Sequence, residues 1–417
     1  MPHYADAVAP PLADARSRAA DPFEQLSLDE LRTRTSGKWR RDAAEVLPLW
    51  VAEMDAPLAE PVVAAVTDAV RRGDTGYPQG TAYAEAFAAF VARRYGWDGL
   101  DVQASRVVPD VMTGMAELIR VLTAPGDTVV VNAPVYPPFY AVVANTGRRV
   151  LPAPLDAGYR LDLAGLAGAY AQATRGGRAA VHLLCSPHNP TGTVHTPAEL
   201  AAVARLADAS GVRVVVDEIH APLVLPGARF TPYLTLAGTE TAVALVSASK
   251  AFNVAALKGA LAVPGAQAVP DVGQIPVEVG FGASHLGLIA QTAALTDGEP
   301  WLDAVLAALA VRREQLGRLL AEQLPAVGHV PPAGTYLAWL DFRGAGLPDG
   351  ADPASYLLQH ARVALADGPP FGPGGAGHAR LNFATSTAVL TEAVRRMAAA
   401  LEAAAADEFP ERQGSAR

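Results

Sequence analysis

Between residues 128 and 263 the chain repeats one pattern, a short continuous apolar run followed by a segment that is apolar on one side only. The runs fall at 128–132, 149–152, 179–185, 212–216, 243–246 and 260–263. Helical spacing is clearest at 197–210, and a further helix is expected over 114–122. Runs this short and this apolar suit strands buried on both faces, and the amphipathic segments between them supply the covering helices. The expected fold class is therefore α/β, with a mostly parallel central sheet. Such sheets bind ligands outside the carboxyl ends of their strands. The residues just after each run are where function is to be sought.

At 417 residues the chain exceeds one ordinary core, so two domains, or one large domain with an appendage, are expected. Apolar residues recur at helical spacing over 58–72 and 83–95, on either side of the turn-rich Gly73-Asp-Thr-Gly-Tyr77-Pro-Gln-Gly80. After Gly298 the pattern changes to a long helix over 301–324, strands over 335–341 and 379–383, and a helix over 387–402, which reads as a smaller α+β domain. The expected division is 56–298 for the large domain and 21–55 with 299–406 for the small one. Residues 1–20 and 407–417 lack periodicity and are expected to be mobile.

A net charge of −9 and the lack of a basic patch argue against a nucleic-acid surface. The single cysteine, Cys185, leaves no intramolecular disulfide. No run approaches the roughly 18 apolar residues of a membrane span, and Met1-Pro-His-Tyr-Ala-Asp does not begin as a signal peptide does. A soluble, cytoplasmic protein is expected. The nine histidines lack metal-ligand spacing, so no metal site is expected.

Three successive runs end in polar residues that a simple turn does not require. The first leads into Ser186-Pro-His-Asn189-Pro-Thr-Gly192, the second into Asp217-Glu-Ile-His220, and the third into Ser247-Ala-Ser249-Lys250-Ala-Phe-Asn253, followed by Lys258-Gly259. An amide, a carboxylate and an amine thus reach one edge of one sheet. A lysine at the end of an apolar strand must be solvated in a cleft, paired, or kept neutral.

In that order and with those separations, the three motifs resemble the fold-type I pyridoxal-phosphate enzymes of the class I/II aminotransferase superfamily. Pro125-Gly-Asp127 and Ala133-Pro-Val-Tyr136-Pro-Pro-Phe-Tyr140 add to the likeness, which extends over about residues 30–405. The resemblance implies a large pyridoxal-phosphate-binding domain and a homodimer acting on a small-molecule amino-acid substrate. Lys250 would carry the cofactor as a Schiff base and act as the catalytic base, and Asp217 would hold the ring nitrogen proton. Asn189 and His220 would lie near the ring hydroxyl, and Tyr136 would stack on the ring. Ser247, Ser249, Lys258 and the backbone of Val111 and Met112 would hold the phosphate at a helix N-terminus. Tyr77 would reach the phosphate from the neighbouring subunit. Asp110 stands where a small residue is usual, and Lys258 where many relatives carry arginine. Arg380, in Arg-Leu-Asn-Phe, would clamp the substrate carboxylate beside Asn189.

Lys38-Trp39, Trp50-Val-Ala-Glu-Met54-Asp55, Asp-Glu-Ile-His220 and Thr335-Tyr-Leu-Ala-Trp-Leu-Asp341 are most similar to the cystathionine β-lyase branch typified by the MalY and PatB proteins. The implied reaction is α,β-elimination from an L-cysteine S-conjugate. An aminotransferase is the nearest alternative, followed by a biosynthetic lyase for a bulky conjugate and, in a different class, a cofactor-bearing regulator.

Overall fold

The computed structural model describes residues 21–408. The mobile N-terminus expected over 1–20 lies outside the described residues, as does the expected tail from 409 onward. The last helix, Thr387–Glu408, takes in the first two residues assigned to that tail.

The strands in chain order are β1 (Leu47–Pro48), β2 (Arg106–Val108), β3 (Thr128–Val131), β4 (Arg149–Pro152), β5 (Ala180–Cys185), β6 (Arg213–Asp217) and β7 (Val243–Val246). They continue with β8 (Ala260–Pro264), β9 (Gly328–His329), β10 (Leu337–Asp341), β11 (Val363–Ala364), β12 (Ala366–Asp367) and β13 (His378–Asn382). Seven of them form one sheet in the order β2-β8-β7-β6-β5-β3-β4. It is mostly parallel, as expected, but β8 runs antiparallel to both of its neighbours, β7 and β2. An apolar run carries no sign of its direction, and the antiparallel return lets residues 247–259 join β7 to β8 without a covering helix.

Alternation along each strand divides the interior into two cores. Val129, Val131, Leu183, Val215 and Leu245 face one layer of helices, whereas Val130, Leu184, Val216, Ala244 and Val246 face the other. Each buried valine or leucine contributes about 1.5–3 kcal/mol relative to exposure. Helix Val111–Leu122 packs in the first core through Met115, Leu118 and Ile119. It begins one turn before the expected start because the Asp110 carboxylate caps it, accepting from the Thr113 N–H at 2.8 Å.

The C-terminal part holds a four-stranded sheet, β12-β13-β10-β9, and the parallel pair β1 and β11, which ties residues 47–48 to 363–364. The buried Arg312 adds a second tie, donating to the Asp21 and Glu24 carboxylates at 2.9 and 2.5 Å. The glycine-rich 372–377 is a loop. At Gly372 (φ 87°) a Cβ would sit 2.0 Å from the Tyr140 hydroxyl oxygen, so only glycine fits. No helix among the described residues is long and apolar enough to cross a membrane.

Candidate active site

Register brings the three strand ends together. Cys185 pairs with Asp217 and Asp217 with Leu245, so the turns after β5, β6 and β7 open side by side. They border a cavity of about 410 Å³, within the range of small-molecule sites. Val111, Met112, Tyr136, Asn189, Asp217, His220, Ser249, Lys250, Lys258 and Arg380 all line it. The turn at Asn189 depends on Gly192, which has φ 67° and where a Cβ would sit 2.3 Å from Pro332 Cβ, so there is no room for a side chain.

One residue expected at the phosphate lies elsewhere. Ser247 is not on the cavity wall; its hydroxyl turns inward and donates to the Gly259 carbonyl at 2.7 Å while accepting from the Ser249 N–H at 3.2 Å. Two nearby backbone groups satisfy it locally, so it braces the loop that presents Ser249 and Lys250. Tyr77 is 81% exposed, against the ring of Phe281 and away from the cavity of its own chain.

Lys250 Nζ donates to the Ala52 carbonyl at 3.1 Å and forms no ion pair among the described residues. Burial, then the nearby charges of Arg380 and Lys258, lower its pKa to about 8. Burial pushes Asp217 up to about 7, although the Ile219 N–H at 3.0 Å and the Lys250 charge oppose it. Burial also pulls His220 down to about 3, helped by Lys250 and Arg380, so the imidazole is neutral. Its Nδ1 is buried without a partner among the described residues. Arg380 donates from Nη1 to Asn189 Oδ1 at 2.9 Å and from Nη2 to the Trp50 carbonyl at 3.0 Å, leaving Nε buried and unpartnered among the described residues. At the other end of the cavity Lys258 Nζ lies 2.8 Å from Asp110 Oδ2.

The segment 49–55 forms part of the wall, and sequence reasoning gave it no structural role. Its carbonyls are held one after another: Leu49 by the Asn382 backbone N–H, Trp50 by Arg380, Val51 by Asn382 Nδ2, Ala52 by Lys250, and Glu53 by Lys38 and Asn382. Asn253, in the left-handed conformation at φ 58°, clasps Met54 from both sides, accepting its N–H at 2.8 Å and donating to its carbonyl at 2.9 Å. Lys38 also meets Asp55 Oδ1 at 2.6 Å, with both side chains out of water. Four polar residues close to motifs, Lys38, Asp55, Asn253 and Asn382, were the available signal for this arrangement. Arg41 and Asp367, also on the wall, carried none.

The donor set suits pyridoxal 5'-phosphate. An amine that ordinary pH can deprotonate stands near a buried carboxylate able to hold a ring N–H. The capped helix N-terminus with Lys258 suits the phosphate, and the unpartnered Arg380 Nε and His220 Nδ1 point to a polar ligand.

The model of the aminotransferase class I and II family matches residues 45–397. A Mycobacterium leprae protein provisionally named a cystathionine beta-lyase is 53% identical over 397 residues, covering 92% of this chain and 98% of its own length. The Bacillus subtilis cystathionine beta-lyase PatB is 33% identical over 367 residues, covering 86% of this chain and 93% of that protein. Among solved structures, a Corynebacterium diphtheriae protein provisionally described as a PLP-dependent beta-cystathionase superposes with a TM-score of 0.84 at 35% identity, covering 90% of this chain and 98% of that one.

Proposed function

The chain belongs to the aminotransferase class I and II family, and from that membership we propose that it is a pyridoxal-phosphate-dependent carbon–sulfur β-lyase. Its substrate is an L-cysteine S-conjugate, which with one water gives a thiol, pyruvate and ammonia. The observation that carries this reading is the meeting of Lys250, Asp217 and Arg380 in one cavity, in a chain related to cystathionine β-lyases over most of its length.

When bound, the cofactor supplies the electron sink that lets the substrate Cα proton leave. Lys250 would hold it, Asp217 would keep its ring nitrogen protonated, Tyr136 would cover its face, and Asn189 and His220 would flank its ring hydroxyl. Ser249, Lys258 and the Val111 and Met112 N–H groups would hold its phosphate. Arg380 binds the substrate carboxylate, with its guanidinium oriented by Asn189 Oδ1 and the Trp50 carbonyl. Lys250 Nζ, poised by the Ala52 carbonyl and easily deprotonated, takes the Cα proton and returns a proton to the departing sulfur. The neutral His220 adds no positive charge to compete for the carboxylate.

We further propose a cytoplasmic homodimer in which the exposed Tyr77 enters the partner's phosphate site. The division into 56–298 and 21–55 with 299–406 is retained as a proposal, supported by the pairing of β1 with β11.

Transamination would use the same residues, so product analysis decides. With S-ethyl-L-cysteine or L-cystathionine, thiol, pyruvate and ammonia should appear in equal amounts with no keto-acid acceptor. Turnover that requires 2-oxoglutarate and conserves the sulfur in a keto acid would overturn the lyase reading.

A further inference from the structure

Arg380 and Asn382 stand two residues apart on β13 and so share one face of the strand. Along residues 50–53 the acceptors alternate between two kinds of donor. The carbonyls of Trp50 and Ala52 accept from the two cavity cations, Arg380 Nη2 at 3.0 Å and Lys250 Nζ at 3.1 Å. Those of Val51 and Glu53 both accept from Asn382 Nδ2, at 2.7 Å each.

Asn382 is 1% exposed and, unlike Arg380, is not on the cavity wall. Its nitrogen carries two N–H groups, one for each carbonyl, and its Oδ1 accepts from the Ala384 N–H at 2.8 Å. Anchoring the ends of the segment does not require this side chain. The Asn382 backbone N–H holds Leu49, Asn253 holds Met54 from both sides, and Lys38 holds Glu53. What the buried amide adds lies between those anchors, in residues 50–52, which line the cavity. Turning the Trp50 and Ala52 carbonyls away from the cations would break its bonds to Val51 and Glu53.

We propose that Asn382 is a positioning residue for proton transfer, setting the place of the Lys250 amine relative to the Arg380 guanidinium through the carbonyls of residues 50–53. It acts on both cations through the backbone. The free amine, the form that takes the Cα proton, takes its bearing from the Ala52 carbonyl. The guanidinium that binds the substrate carboxylate takes its bearing from the Trp50 carbonyl two residues earlier. A substrate held by Arg380 therefore meets an amine indexed to the same short piece of backbone. The inference rests on the roles given to Lys250 and Arg380 above.

The test is Asn382→Leu, which keeps about the same side-chain size and removes both donors. For S-ethyl-L-cysteine, kcat/KM per cofactor-loaded site should fall roughly a hundredfold, as for a small misplacement of reacting groups, with kcat lower and KM higher. A second measurement is independent of turnover. In the apoprotein, the pH dependence of Lys250 acetylation, followed by peptide mass spectrometry, gives the pKa of the amine. The Ala52 carbonyl favours the charged form, so loosening it should lower that pKa by about half to one unit. Arg380, Lys258, Glu53 and Asp217, the charges that act on Lys250, are all kept in the variant. A merely structural asparagine would leave folded, loaded sites with parental kinetics and the amine with its parental pKa, and either result would overturn the proposal. Should Asn382→Leu not fold, Asn382→Ser keeps one donor and should show smaller changes in the same directions; parental values there would be equally fatal. If the holoenzyme transaminates and does not eliminate, the lyase reading fails. The Cα proton must still leave, so the same two measurements, made on transamination, then decide the role of Asn382.

Discussion

The buried pair of Lys38 and Asp55 holds the wall segment from below, and its energetics can be worked from the geometry. The two side chains are 0% and 1% exposed with Nζ and Oδ1 2.6 Å apart. At an effective dielectric constant of about 20, the gross attraction is about 6 kcal/mol. Much of that offsets the cost of taking both ions out of water, so the net worth of the pair is small while the cost of breaking it is large. Lys38→Met leaves a carboxylate buried beside a thioether. Asp55→Asn keeps an amide oxygen beside the ammonium but removes the charge that balances it, leaving neutral acceptors alone, the Glu53 carbonyl among them. Each single change should lower unfolding free energy by about 3–5 kcal/mol. The double variant, which buries no charge, should recover at least ~2 kcal/mol of the summed loss. Equilibrium urea unfolding followed by tryptophan fluorescence measures all four proteins. Losses under about 1 kcal/mol for the single variants, or strict additivity in the double, would refute the argument that these charges stand or fall together.

Asp110→Asn keeps an oxygen for the Thr113 N–H but removes the negative charge paired with Lys258. In water-like surroundings, a dianionic phosphate about 5 Å from that charge is opposed by about 1.5 kcal/mol, so the variant should bind the cofactor roughly tenfold more tightly in a spectrophotometric titration. Weaker binding would show that Asp110 supports the phosphate. Glu218 is buried against the Tyr233 N–H, and burial raises its pKa from 4.5 to about 8. The unfolded chain ionises first, so its contribution to stability is complete below pH 4.5 and is lost as pH rises through 8. Glu218→Gln should therefore match the parent near pH 4 and exceed it by an amount on the order of 3–5 kcal/mol at pH 9, read from urea midpoints. If Tyr77 serves a partner's site, sedimentation should give a dimer, and mixing Tyr77→Phe chains with Lys250→Ala chains should restore activity through one intact site per heterodimer. A monomer at working concentration would exclude that arrangement.

What the sequence made legible was what local chemistry decides. Helix Pro197–Ser210 was readable to its ends because Thr196 caps it, with Glu199 closing the capping box, and Gly211 stops it at φ 65°. The convergence of Asn189, Asp217 and Lys250 was readable because a parallel sheet sends successive strand ends to one edge. Other features depended on distant partners. The direction of β8 is set by what it pairs with, not by its own apolar run. Ser247 has the right residue type for a phosphate contact, but a carbonyl twelve residues later claims its hydroxyl. Asn382 and Asn253 find their acceptors in 51–54, far away in sequence. Arg41 and Asp367 sit in stretches without a motif, and only the fold brings them to the same cavity wall.

The stitching of residues 49–55 also fixes an order in time. The segment is made early with Lys38 and Arg34 to hold its far end, its clasps at Lys250 and Asn253 come past the middle of the chain, and its last, Arg380 and Asn382, lie in the final tenth. Domains take shape from the N-terminus as they are synthesised, so the seven-stranded sheet can form while this wall still hangs loose. A half-made chain would then own its lysine and its carboxylate but have no closed chamber to put them in. Competence would arrive at the end of translation, when one late strand draws the earliest part of the wall shut.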